Sequence, residues 1–109
     1  MALELKEKFD SITSYKEHKN IIAQKLVNLP TFISQPSEHE FWLKDDAFVG
    51  AWEFDVRIFL LNEEIFIEVS TFSKAFTRDV FSFHRYMQAQ TPCQLLDDDD
   101  EVYDFDNGL

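Results

Sequence analysis

Residues 51–69 read AWEFDVRIFLLNEEIFIEV. Phe54, Val56, Ile58 and Leu60 alternate with Glu53, Asp55, Arg57 and Phe59, and Ile65, Ile67 and Val69 alternate with Phe66 and Glu68. A period of two places one set on an apolar face and the other towards solvent. Asn62-Glu63-Glu64 supplies a tight turn between the runs, so 51–61 and 64–70 are expected to form an antiparallel hairpin. Phe54, Val56, Ile58, Ile65, Ile67 and Val69 belong on its buried side. Glu40–Leu43 is a shorter candidate strand upstream.

Outward from the hairpin the period changes. Leu5, Phe9 and Ile12, then Ile22, Leu26 and Leu29, fall at helical spacing. Ser14-Tyr15-Lys16-Glu17 has the form of a capping box, which divides Ala2–Leu29 into a short first helix and a second one ending before Pro30. Residues 30–39, with two prolines, read as a connecting loop. On the C-terminal side Phe76, Val80, Phe83 and Met87 make Lys74–Gln88 an amphipathic helix, with a strand over 80–86 as the alternative. Pro92 ends that element, and Cys93–Leu96 reads as a short apolar link. The expected fold class is α+β: N-terminal helices packed on a small antiparallel sheet built around the central hairpin, with an acidic C-terminal segment. Residues 1–96 form one domain, and 97–109 are an acidic segment of it.

The chain has 109 residues, 45% of them hydrophobic and 12 of them Phe, which is enough for a core despite a formal charge of −11. One cysteine, Cys93, excludes an internal disulfide and fits a reducing compartment. The N-terminal residues mix charge with apolar groups unlike a signal peptide, and no apolar run is long enough to span a bilayer. A soluble, cytoplasmic protein is expected.

The charge is unevenly placed. Residues 1–29 carry five lysines against four acids, whereas residues 93–109 carry seven acids and no Lys or Arg. Phosphate binding needs basic side chains, so nucleic acid is not expected as a direct ligand, nor is a membrane. The complement of such a surface is a basic protein. The candidate partner-binding residues are Asp97, Asp98, Asp99, Asp100, Glu101, Tyr103, Asp104, Phe105 and Asp106. On an extended chain, carboxylates on one side repeat about every 6–7 Å, comparable to the phosphates of one DNA strand. Like-charge runs usually only solvate, but Val102, Tyr103 and Phe105 add apolar anchors, either for a partner or for the chain's own core.

Candidate chemistry is sparse. His18, His39 and His84 lack metal-ligand spacing, Glu38-His39-Glu40 lacks the second histidine of a zinc helix, and Asp97–Asp100 lacks the glycine and closing Glu of a calcium loop. No nucleophile signature surrounds Cys93 or any serine, and two glycines cannot supply a phosphate loop. Metals and cofactors are expected to be unnecessary for folding, and no catalytic residues are assigned. Trp42 and Trp52 are read as packing groups. The stripe Glu53, Asp55, Arg57 is a solvated sheet face that would widen the negative patch if it adjoined the tail.

The expected function is therefore a non-enzymatic acidic inhibitor that neutralises a basic, nucleic-acid-binding partner. An immunity protein against a bacterial nuclease toxin leads, since a nuclease must be basic to hold its substrate. Size, charge and layout give only a general likeness to such proteins. A phage nucleic-acid mimic (a DNA mimic) acting on a CRISPR or restriction complex, that is, an anti-CRISPR protein, is the close alternative. A small acidic secretion or assembly chaperone and a subunit of a larger complex are the others.

Overall fold

The segment expected to be a first helix is a strand. In the computed structural model, which describes residues 3–44, 56–70 and 74–103 (backbone only for 74–77), Leu3–Phe9 forms β1. Leu5 and Phe9 satisfy a period of two, which Leu3 shares, as well as the helical one, and the sheet decides between them. β1 finds backbone partners on both sides, six residue pairs with one neighbour and four with the other. Ser11 then starts α1, Ile12–Val27, its side chain accepting from Ser14 N at 3.1 Å. The cap thus lies three residues before the expected box, and Ser14 sits in the first turn. The helix ends at Asn28, whose N–H bonds back to Leu26 and Lys25 carbonyls.

Residues 30–39 are also more ordered than a loop. They contain β2, Phe32–Ser37, which pairs with β3, Glu40–Leu43, through an irregular register. β2 tolerates Pro36 because it is an edge strand, where a missing N–H need not break a second ladder. β4, Val56–Leu60, and β5, Glu64–Val69, pair antiparallel, with Ile58 opposite Ile67 and Leu60 opposite Ile65. Residues 51–55, including Phe54, Glu53 and Asp55, lie outside the described residues, as does Trp52. α2 is a helix over Lys74–Gln90. Cys93–Leu96, read from the sequence as a link, is β6. Its strand state comes from β1 alongside, which supplies the ladder that four residues could not make alone.

The six strands form one antiparallel sheet in the order β2-β3-β4-β5-β1-β6. The chain lays down β1, crosses through α1 to the far edge, returns strand by strand to β5 beside β1, and crosses through α2 to place β6 outside it. One sheet face is buried: the row Phe41-Ile58-Ile67-Leu5 and the row Leu43-Val56-Val69 meet Tyr15, Ile22 and Leu26 of α1 and Val80, Phe83 and Met87 of α2 in one core. Tyr15 stacks on Phe9 at 4.4 Å and donates to the Leu61 carbonyl at 2.7 Å, tying α1 to the β4–β5 turn. Asp79, buried on α2, accepts from Thr31 N at 3.0 Å and Thr31 Oγ1 at 2.7 Å, which fixes α2 to the chain just after α1. No helix among the described residues is long and apolar enough to cross a membrane.

Candidate partner-binding surface

The other sheet face carries no helix among the described residues, and its side chains are half-buried or exposed. Register places them in rows. Trp42, Arg57, Glu68 and Glu4 cross four strands, Glu40, Phe59, Phe66, Lys6 and Leu96 cross five, and Glu64, Lys8 and Gln94 cross three. Phe59 and Phe66 meet edge to face at 6.0 Å, with the Arg57 guanidinium over Phe59 at 5.5 Å. Trp42 Nε1 donates to Glu40 Oε2 at 2.6 Å. The centre of the face is therefore aromatic and its surroundings ionic.

Each of the three cations in these rows is held by a carboxylate. Arg57 bonds Glu68, directly opposite on β5, at 3.0 Å through Nε and 2.5 Å through the guanidinium end. Lys8 reaches Glu64, its register partner, at 2.5 Å, and this bond raises the lysine's pKa above its ordinary value. Lys6 meets Asp100 at 3.2 Å. That last pair joins the acidic segment to the open face. With the cations engaged, Glu4, Glu40, Asp98, Asp99 and Glu101 set the sign of the outward field.

The described part of the acidic segment is a tight turn. Asp97 Oδ1 accepts from Asp99 N at 2.9 Å and Glu101 N at 3.0 Å, while Asp97 N donates to Glu101 O at 2.8 Å and Asp100 N to Asp97 O at 3.0 Å. Asp100 takes φ of 62°, a left-handed conformation that Asp tolerates better than most residues. The chain then folds back along β6: Val102 bridges Leu96 and Tyr103 N donates to the Leu95 carbonyl at 2.8 Å. Residues 97–101 consequently lack the extended spacing on which a phosphate-like row of carboxylates was expected.

Of the candidate residues, Asp98, Asp99, Asp100 and Glu101 are exposed, Asp97 organises the turn, and Tyr103 packs half-buried against this chain's own core. Asp104, Phe105 and Asp106 lie outside the described residues. Phe59 and Phe66 stand on the side where the alternation put them, with Arg57 and Glu68. Trp42, read as a packing group, was missed as a surface group because it stands between Phe41 and Leu43 in a run too short and too apolar to show which face it takes.

The histidines are dispersed. His18 Nδ1 bonds the Ser14 carbonyl within α1 at 2.8 Å, and His39 stands in the β2–β3 turn beside a cavity of about 340 Å³ lined by Lys19, Asn20, Gln35 and Glu38. His84 is different: it projects from α2 into the core, and its Nδ1 lies 2.7 Å from Oε1 of Glu7 on β1. Cys93 is beside them. Burial, and then the neighbouring Glu7 carboxyl, push the Cys93 thiol well above the ordinary range, so it is poorly suited to act as a nucleophile.

No protein-family model matches the sequence, and comparison with curated proteins and with solved structures finds no match.

Proposed function

We propose that this protein is a non-enzymatic acidic binding module that neutralises a basic, nucleic-acid-binding partner, docking it on the open sheet face and the adjoining 97–101 turn. The observation that carries the reading is the internal engagement of Lys6, Lys8 and Arg57, which leaves a surface of excess carboxylates around an aromatic centre. Aromatic anchors inside a charged rim are the usual composition of a protein interface. A nuclease or other nucleic-acid-binding protein offers the matching chemistry, because its substrate site needs exposed Lys and Arg. Inhibition then follows from occupying the same basic groups that hold phosphate. An immunity protein against a nuclease toxin is the leading instance. The nucleic-acid-mimic alternative loses support from the turn at 97–101, which breaks the regular row. The protonated, buried state of Cys93 supports a non-catalytic role.

The test is capture of a partner from the native host, followed by kinetics. A basic nucleic-acid-binding protein should be recovered, and its association rate should fall at least about tenfold between roughly 50 and 500 mM salt as steering is screened. Neutralising Asp98, Asp99 and Glu101 together should slow association, whereas Phe59→Ala should speed dissociation. Recovery of a neutral partner bound at a salt-independent rate would overturn the proposal.

A further inference from the structure

In the buried face of the sheet the register row reads Leu60-Ile65-Glu7-Leu95. Three apolar residues and one acid share it. Glu7 has no exposed surface, and although Oε1 meets His84, Oε2 has no hydrogen-bond partner. An unsatisfied oxygen on a buried carboxyl costs several kcal/mol in order of magnitude unless something compensates it. Cys93 lies on the neighbouring strand, on the same side of the sheet, and is 6% exposed. One donor atom from each of Glu7, His84 and Cys93 lies within 4.8 Å of the other two.

We propose that Glu7, His84 and Cys93 form a buried binding site for a divalent transition-metal ion of the zinc class. The donor set decides the class of ion. Calcium and magnesium take shells of oxygens, six or more for calcium, whereas one carboxylate oxygen, one imidazole nitrogen and one thiolate sulfur suit Zn²⁺ or Co²⁺. Charge favours the same answer. A carboxylate and a thiolate cancel a divalent cation, so the loaded site is neutral overall, the cheapest state for ionic groups in a core. On binding, the Cys93 thiol loses its proton to solvent, His84 presents an unprotonated Nδ1, and the ion takes the Glu7 oxygen that now has no partner.

The movement required is small. Ligand bonds of about 2.0–2.3 Å in a tetrahedral site separate ligands by roughly 3.3–3.8 Å. The 2.7 Å contact between His84 Nδ1 and Glu7 Oε1 gives way as Nδ1 turns to the ion and Oε2 becomes its oxygen ligand. The donor atoms lie within 4.8 Å of one another, so no separation closes by more than about 1.5 Å. Three protein donors leave a fourth position for water, as in other three-ligand zinc sites. The surrounding core is apolar without the ion, so metal adds stability to a fold that forms in its absence. The inference is independent of the partner reading, since the cluster lies under the helices on the opposite side of the sheet.

The experiment uses the reduced, full-length chain and Co²⁺ alone, then Zn²⁺ alone. Cys93 is the only cysteine, so a thiolate-to-cobalt charge-transfer band can arise from no other residue. The expected result is that band at one ion per chain, its loss on adding Zn²⁺, and a Tm rise of about 10 °C at a hundredfold excess over Kd. Glu7→Gln and Cys93→Ser should each remove both effects, while Asp98→Asn with Asp99→Asn should remove neither. Absence of the band in the wild-type chain overturns the proposal without recourse to any variant. So does a Tm rise that survives Cys93→Ser and disappears with the surface aspartates, which would place the ion on the 97–99 turn.

Discussion

Glu7 and His84 allow a quantitative test of what a polar pair does inside this core. Replacing His84 by Phe leaves the Glu7 carboxyl with neither oxygen satisfied by the pair, a loss of about 3–5 kcal/mol for a broken buried pair. Replacing Glu7 by Leu removes a charge-assisted bond of about 1.5–3 kcal/mol and leaves the imidazole facing an apolar row. Leucine recovers part of this by joining Leu60, Ile65 and Leu95, so a net loss of about 1–3 kcal/mol is expected. Both changes together should be neutral or raise stability by up to about 4 kcal/mol, because neither desolvated group remains. The two losses add to at least about 4 kcal/mol, so the coupling should exceed that figure, above the roughly 0.5–3 kcal/mol common between contacting residues. The assay is equilibrium urea unfolding at neutral pH with EDTA present, comparing midpoints at constant slope. A coupling below about 1 kcal/mol, or a stabilising Glu7→Leu, would show that the carboxyl is not held by His84.

Asp79→Ala strands the N–H and hydroxyl of Thr31, and a loss of about 2–5 kcal/mol in chemical denaturation is expected; Asp79→Asn, which keeps one acceptor oxygen, should lose clearly less. Burial holds the Tyr15 hydroxyl well above its ordinary pKa of 10.0. A raised folded-state pKa means that this contribution is complete below pH 10.0 and declines above it, by about 1.4 kcal/mol per pH unit at most, as the unfolded chain ionises first. Tyr15→Phe should be less stable at pH 7 and should show a flatter decline above pH 10.0 in thermal scans; an unchanged slope would contradict the assignment. Ser11→Ala removes the α1 cap and should cost about 1 kcal/mol, with helix content by circular dichroism otherwise retained.

Some elements could be read from the chain because their pattern and their environment agree. Val56, Ile58, Leu60, Ile65, Ile67 and Val69 alternate in sequence and are buried in the fold, and Val80, Phe83 and Met87 mark the apolar stripe of α2 in both. The excess of acid at the C-terminal end is a property of composition alone. Three strands were not legible. Leu3–Phe9 and Cys93–Leu96 are strands because other strands supply hydrogen bonds from far along the chain, whereas Phe32–Ser37 pairs with Glu40–Leu43 just after it and was hidden by Pro36 and an irregular register. The acid at Glu7 interrupted the alternation that would have disclosed β1, since sequence periodicity takes a charge as a mark of solvent. Only the crossing through α2 brings residues 7 and 84, 77 apart in sequence, to hydrogen-bonding distance and sets Cys93 beside them. The sequence by itself determined the hairpin segments, the second helix and the sign of the charge. The tertiary structure decided that three further segments became strands, that Trp42 lies on the open face and which polar groups share the core, because those outcomes depend on ladder partners and burial that local pattern does not contain.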